Sequence, residues 1–179
     1  MGEINVILVN DQDEVIGYKE KLKAHKDGDL HRAFSVMVFN SQKQLLLQKR
    51  AKDKYHSGGL WTNTCCSHPS PDEENMVVSA QQRLQEEMGF SCDLELLYHF
   101  IYRTEFNNGL VEYELDHVLW GTYDKEPKPN PSEAETYEWV TWDKLIARIA
   151  DQPETFTSWF KIIVGKIEED TVLKRRIFG

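Results

Sequence analysis

Thr62-Asn63-Thr64-Cys65-Cys66-Ser67-His68-Pro69 is the stretch from which the rest of the chain is read. It sets a thiol and an imidazole two residues apart, directly after the aromatic-bearing Leu60-Trp61. In extended backbone successive side chains alternate faces, so Cys66 and His68 point one way while Cys65 and Ser67 point the other. The same spacing recurs in Val111-Glu112-Tyr113-Glu114-Leu115, where Glu112 and Glu114 share one face of a predicted strand. If those two faces converge, a thiol, an imidazole and two carboxylates meet.

Outward from this stretch the chain reads as hairpins interrupted by a few helices. Residues 4–9 form a short apolar strand ending at Asn10-Asp11, with Val15-Ile16-Gly17 pairing back on it, and residues 18–24 fit neither period. His25-Lys26-Asp27-Gly28-Asp29-Leu30-His31 reads as a polar, glycine-containing loop bracketed by two imidazoles. Residues 32–39 and 44–49 are strands around the turn Asn40-Ser41-Gln42-Lys43. Pro71-Asp72-Glu73-Glu74 opens the clearest helix, with acidic residues suited to its positive end. Met76, Val77, Ala80, Leu84 and Met88 then recur at helical spacing, and Gly89 stops it. Strands are expected over 94–103, 110–122 and 135–142, the first two joined by the Phe106-Asn107-Asn108-Gly109 turn. A short helix over 143–150 and a long amphipathic one over 156–176, with Trp159, Phe160, Ile163 and Ile167 on one side, complete an α+β sandwich.

A length of 179 residues predicts one domain, 1–179, and 40% hydrophobic content is enough to pack it. The net charge of −9 argues against a nucleic-acid binder, which needs a basic face. It leaves room for a small anionic substrate held by a few clustered cations. No run reaches the roughly 18 apolar residues of a membrane span, and Met1-Gly2-Glu3-Ile4-Asn5 lacks the basic-then-apolar layout of a secretory signal. Three cysteines without framework spacing suit a reducing setting, so the expectation is a cytoplasmic protein.

His25, His31, His68, Glu112 and Glu114 add up to an N3O2 donor set suited to Zn, Mn or Fe, with Mg also open. Surface histidines are common, so this set carries weight only if the fold gathers three separate segments. Cys65 and Cys92 read as small buried hydrophobes; for Cys66, a neighbouring histidine and a nearby cation would favour the thiolate. Lys49-Arg50-Ala51-Lys52-Asp53-Lys54, taken alone, is a solvated charged loop, and becomes an anion clamp only beside phosphate chemistry. Glu86-Glu87 occupies the last turn of its helix, where the dipole disfavours carboxylates, and a bound cation would supply a reason.

Trp61-Thr62-Asn63 through Cys66-Ser67-His68-Pro69 resembles the active-site stretch of the type I isopentenyl diphosphate isomerases, a branch of the Nudix fold. The resemblance extends over His25 to His31, Glu86-Glu87-Met88-Gly89-Phe90, Tyr102-Arg103, Glu112-x-Glu114 and Phe156 to Trp159, nearly the whole chain. It departs from the Nudix hydrolase box, Arg-Glu-U-x-Glu-Glu-x-Gly-U (U aliphatic or aromatic), where Gln82 and Arg83 take the first two positions. The segment from His25 to His31 is also one residue shorter than the family's spacing.

The resemblance implies mixed β-sheets packed between helices, a Nudix core over about residues 30–165, and a 1,3-allylic proton shift between isopentenyl diphosphate and dimethylallyl diphosphate in isoprenoid biosynthesis. By position, Glu114 with Tyr102 would protonate the alkene, Cys66 would remove a proton from the opposite face, and Trp159 would lie over the cation. His25, His31, His68, Glu112 and Glu114 would hold one divalent metal, Mn2+, Zn2+ or Mg2+. Glu87 and the backbone carbonyl of Cys66 would hold a Mg2+ bridging to the diphosphate, which Lys21, Arg50, Lys54 and Arg83 would contact. The expected partner is this isoprenyl diphosphate alone, on a monomer or homodimer. Two readings compete: a Nudix pyrophosphohydrolase, and a binding module in which the His/Glu cluster is a closed structural metal site.

Overall fold

The computed structural model describes residues 4–73 and 75–179, so Met1, Gly2, Glu3 and Glu74 lie outside the described residues. Among the described residues nine strands form one connected sheet: β1 Asn5–Val9, β2 Val15–Glu20, β3 His31–Phe39, β4 Gln44–Arg50, β5 Trp61–Thr62, β6 Cys65–Ser67, β7 Leu94–Glu105, β8 Val111–Thr122 and β9 Ala134–Thr141. The helices interleaved with them among the described residues are α1 Lys21–Asp27, α2 Met76–Met88, α3 Trp142–Asp151, α4 Ser158–Glu169 and α5 Thr171–Phe178, with a 3-10 turn at Pro153–Thr155.

β3 is central. Along one edge it runs parallel to β8 for its whole length, His31 opposite Glu114 and Phe39 opposite Thr122. Along the other it meets three strands in succession: β1 at His31, β6 at Phe34 to Val36, and β4 at Phe39. Buried on both faces, it reads as an almost unbroken apolar run. Phe34, Val36 and Val38 pack with Leu46 and Cys65 under Ala80, Leu84 and Met88 of α2. Met37, Phe39, Leu45 and Val118 pack against Leu145, Phe160, Ile163 and Ile167 of α3 and α4 on the other side. The result is the expected mixed sheet between helices.

Because β3 and β4 touch only at Phe39–Leu45, their backbones splay apart, and the polar residues of 62–65 fill the wedge. Thr64 Oγ1 donates to the Leu46 carbonyl at 2.7 Å and accepts from the Val38 amide at 2.9 Å, stitching the two strands. Asn63 Nδ2 donates to the carbonyls of Val36 and Cys65 at 3.2 and 2.7 Å. Buried backbone groups need partners, and these side chains supply them where the ladder cannot. The unusual Thr-Asn-Thr run is therefore structural, and it delivers β6 to the centre of the sheet.

Three element assignments differ from the sequence reading. His25 lies in a helix, α1, whose start is capped by the Glu20 carboxylate accepting from the amides of Leu22 and Lys23, and whose end is Gly28 in the left-handed region. α2 begins at Met76 behind an Asn75 cap, with no acidic residue in its first turn; Asp72 and Glu73 precede it. The terminal helix is two helices, because Asp170 turns its carboxylate onto the amides of Val172 and Leu173 and restarts the helix as α5.

Candidate active site

β7 and β8 pair with Tyr102 directly opposite Glu114 and Thr104 opposite Glu112. This puts the phenol and both carboxylates on one face, and all three are buried. Tyr102 Oη lies 2.6 Å from Glu114 Oε2 and 3.1 Å from Glu112 Oε2, close enough to bridge them. Cys66 on β6 and His68 just beyond it reach the same cavity while Cys65 is buried beneath α2, as strand alternation requires, although Ser67, expected on the far face with Cys65, also lines the cavity. That cavity, of about 60 Å3, is lined by Cys66, His68, Tyr102, Glu87, Glu112, Glu114 and Trp159, together with Lys21, Arg50, Lys54 and Arg83. Lys21, Lys54, Ser67, His68 and Arg83 also line a second, adjoining cleft of about 610 Å3.

His25 and His31 stand behind Glu114. His25 Nδ1 is 2.7 Å from the Lys21 carbonyl and His31 Nδ1 is 2.8 Å from the Asp29 carbonyl, so each Nδ1 donates its proton there and in the neutral ring each Nε2 keeps a lone pair, open to a cation or, at His31 beside Glu114, to a second proton. Both Nε2 atoms are buried without a hydrogen-bond partner among the described residues. His31 Nε2 and His68 Nε2 approach Glu114 Oε1 at 3.4 and 2.9 Å. One donor atom from each of His25, His31, His68 and Glu114 lies within 4.8 Å of the others. Orphaned imidazole lone pairs aimed at a carboxylate, each oriented by a carbonyl, are the donor set and outer support that a divalent cation takes. Glu112 does not join this group directly: it clusters with His25 and His56, because His56 Nε2 holds its Oε1 at 3.0 Å.

Glu87 ends α2, and its place is fixed from both sides. The 128–130 segment bonds the last carbonyls of the helix, Lys128 amide to Met88 and Asn130 amide to Glu87. Gly89 then turns the chain at φ 75°, and a Cβ there would collide with the Lys128 carbonyl. The Glu87 carboxylate accepts from Gln48 Nε2 at 2.9 Å and Arg83 at 2.7 Å. Arg83 also meets Glu133 at 3.6 Å, and Lys54 pairs with the same glutamate. Trp159, seated by its indole N–H on Asn63 Oδ1 at 3.2 Å, forms one wall. The Arg50 guanidinium lies 5.3 Å from the Trp159 ring centre and 3.7 Å from Cys66 Sγ.

Residues 29–160 match the profile of the NUDIX domain. The chain is 48% identical over 164 residues to the isopentenyl-diphosphate Delta-isomerase of Pectobacterium atrosepticum, covering 92% of this chain and 91% of that one. It is 47% identical over 165 residues to isopentenyl-diphosphate Delta-isomerase 2 of Aromatoleum aromaticum, with 92% and 87% covered. The chain belongs to the isopentenyl-diphosphate Delta-isomerases of the NUDIX family. Among solved structures it is similar to the DR0079 protein of Deinococcus radiodurans (TM-score 0.67, 22% identity, 82% and 89% covered) and to a MutT protein of Methanosarcina mazei (0.65, 17%, 78% and 94%), likenesses that show the fold. Within this isomerase family member, the two box positions taken by Gln82 and Arg83 have a structural counterpart: Arg83 is a cation folded onto Glu87 rather than a further carboxylate.

Electrostatics separate the two glutamates. Burial and the charge of Glu114 push Glu112 well above the usual carboxylate range. Burial also acts on Glu114, but the approach of His31 and His68 outweighs it and holds that carboxyl well below its ordinary value. Burial holds His68 and His56 down to about 3 and His25 to about 4, so these imidazoles are neutral, as ligands must be. At His31 burial is outweighed by the hydrogen bond and charge of Glu114, which raise the ring, so a cation there would displace a proton. Burial pushes the Cys66 thiol up to about 12, with Arg50 opposing. The thiolate expected from sequence is therefore not favoured by the protein groups alone.

His56 and Tyr55 belong to no motif singled out in the sequence. Their only signal was position, beside Lys54 and just before Ser57-Gly58-Gly59.

Proposed function

We propose that the chain interconverts isopentenyl diphosphate and dimethylallyl diphosphate by protonating one end of the alkene and deprotonating the other. The observation that carries this reading is that Cys66, Tyr102, Glu114 and Trp159 line one small cavity continuous in its cationic residues with a larger outer cleft. In the forward direction the Glu114–Tyr102 pair gives a proton to the terminal methylene carbon. The double-bond electrons form the new C–H bond, and positive charge develops on the tertiary carbon. Cys66 takes a proton from the carbon on the diphosphate side, and that C–H pair becomes the new double bond. In the reverse direction the roles exchange. With Cys66 protonated and Glu114 ionised, the groups stand as the reverse reaction needs them.

Trp159 supports this reading as a buried π surface for the cation. Arg50, now over that surface, would turn outward with Lys21, Lys54 and Arg83 to meet the diphosphate, Arg as a fork and Lys as a point charge. His25, His31, His68, Glu112 and Glu114 would hold one divalent ion, Mn2+, Zn2+ or Mg2+, and Glu87 with the Cys66 carbonyl a Mg2+. Bound cations would neutralise diphosphate charge and favour ionisation of nearby acids. The reading takes residues 1–179 as a single catalytic domain. Three free cysteines suit a reducing compartment such as the cytoplasm.

Incubating the protein with isopentenyl diphosphate, Mg2+ and Mn2+ and following the mixture by NMR tests the activity. Dimethylallyl diphosphate is the expected product. Unchanged substrate, or phosphate release from nucleoside diphosphate derivatives instead, would overturn the reading.

A further inference from the structure

His56 lies on the loop between β4 and β5, is 7% exposed, lines the small cavity, and is held by directed contacts on both ring nitrogens, one ring face and its carbonyl. Its Nε2 meets Glu112 Oε1 at 3.0 Å and its Nδ1 meets Ser57 Oγ at 3.3 Å. The serine hydroxyl can donate to Nδ1, which leaves the ring proton on Nε2, directed at the carboxylate. The ring stacks on Phe106 at 4.7 Å with 17° between planes. Its backbone carbonyl accepts from Arg50 Nη2 at 3.3 Å, and the preceding carbonyl, of Tyr55, accepts from Asn108 at 3.1 Å. The loop that carries Lys54 is thus tied at adjacent residues to the β7–β8 turn.

We propose that His56 is a positioning residue for the acid pair: its ring N–H fixes Glu112, and through the Tyr102 bridge Glu114, while its main chain joins that arrangement to the cationic residues Arg50 and Lys54. The inference rests on the isomerase reading for the roles of those residues. The contacts form an unbroken chain, His56 to Glu112 at 3.0 Å, Glu112 to Tyr102 at 3.1 Å, Tyr102 to Glu114 at 2.6 Å. With one Glu112 oxygen accepting from His56, the carboxylate plane is fixed and its other oxygen meets the Tyr102 hydroxyl, while each oxygen keeps a second lone pair for a cation. Remote binding energy then has a route to the reacting end: a diphosphate that draws on Arg50 and Lys54 pulls on the loop whose side chain sets Glu112. His25, His31, His68 and Glu114 provide a metal-ligand group that does not need His56, and a second possible donor set, His25, His56 and Glu112, is the ligand role that the count of bound Mn2+ tests.

The test compares H56F, which keeps a flat ring for Phe106 but has no N–H, with H56Q, which keeps a donor. With isopentenyl diphosphate as substrate in Mg2+ and Mn2+, H56F is expected to lower kcat about 10- to 100-fold, the usual cost of losing a ligand-orienting partner. KM should stay within about 3-fold, and H56Q should recover most of kcat. Without substrate, H56F should still bind the wild-type number of Mn2+ ions, with an altered EPR spectrum. H56F turning over like wild type, H56Q failing as badly as a folded H56F, or loss of one bound Mn2+ (a ligand role) would each overturn the proposal. Should H56F not fold, a kcat in H56Q equal to that of H56L would overturn it. If the wild-type chain itself does not isomerise the substrate, the activity reading fails, while the Mn2+ spectra still judge His56.

Discussion

Removing one oxygen atom from the site, in Tyr102→Phe, isolates the bridge between the two carboxylates. The ring keeps its packing beside Phe100, at 5.6 Å between centroids, and no cationic side chain loses a contact. What is lost is an O–H donated to the ionised Glu114 at 2.6 Å and shared with Glu112 at 3.1 Å. A hydrogen bond to a charged group contributes about 1.5–3 kcal/mol. Since about 1.4 kcal/mol is tenfold in rate, kcat should fall about 10- to 150-fold. KM for isopentenyl diphosphate should hold within about 3-fold, because the phenol faces the carboxylates and not the cations. Steady-state kinetics on the folded variant decide the matter. A kcat within 2-fold or so of wild type, or a raised KM with unchanged kcat, would refute a role for Tyr102 in the proton transfer.

Cys66→Ala should lower isomerisation by a factor of about 100 or more, as expected for loss of an acid/base group, and stop solvent deuterium exchange; near-normal turnover would remove Cys66 from its role. Glu87→Gln should raise the Mg2+ concentration for half-maximal activity about tenfold or more, and an unchanged Mg2+ titration would count against an ion there. Gly89→Ala should cost about 1–3 kcal/mol from its backbone conformation alone, seen as a drop of several degrees in Tm, since both its φ of 75° and the Lys128 carbonyl exclude a Cβ. Exhaustive chelation should abolish activity and lower Tm, and Mn2+ or Zn2+ with excess Mg2+ should restore both, because the orphaned His25 and His31 lone pairs favour the loaded state.

Strand alternation made Cys66–His68 and Glu112–Glu114 legible as two converging faces, and helical spacing with a terminal glycine placed Glu87 at the end of α2. α1 was not legible because seven residues are too few to show a period, and its cap is Glu20, outside the usual Ser, Thr, Asp and Asn set. The break between α4 and α5 depends on one carboxylate, Asp170, choosing backbone amides over solvent. The role of His56 is not legible in sequence because its partner, Glu112, lies on a distant strand, and no local pattern announces such a contact. The protonation of Cys66 is illegible in sequence for a related reason: the basic residues are visible there, but the extent of burial that outweighs Arg50 is set by the fold.

The central claim is that two different groups, a thiol on one side and a carboxylate–phenol pair on the other, exchange protons with a single alkene. Isomerisation of isopentenyl diphosphate in D2O, followed by NMR, tests it most directly. Deuterium from solvent should appear in the methyl group of dimethylallyl diphosphate. Product formed at the normal rate without solvent deuterium would mean that one hydrogen had simply moved along the substrate, and would contradict the account.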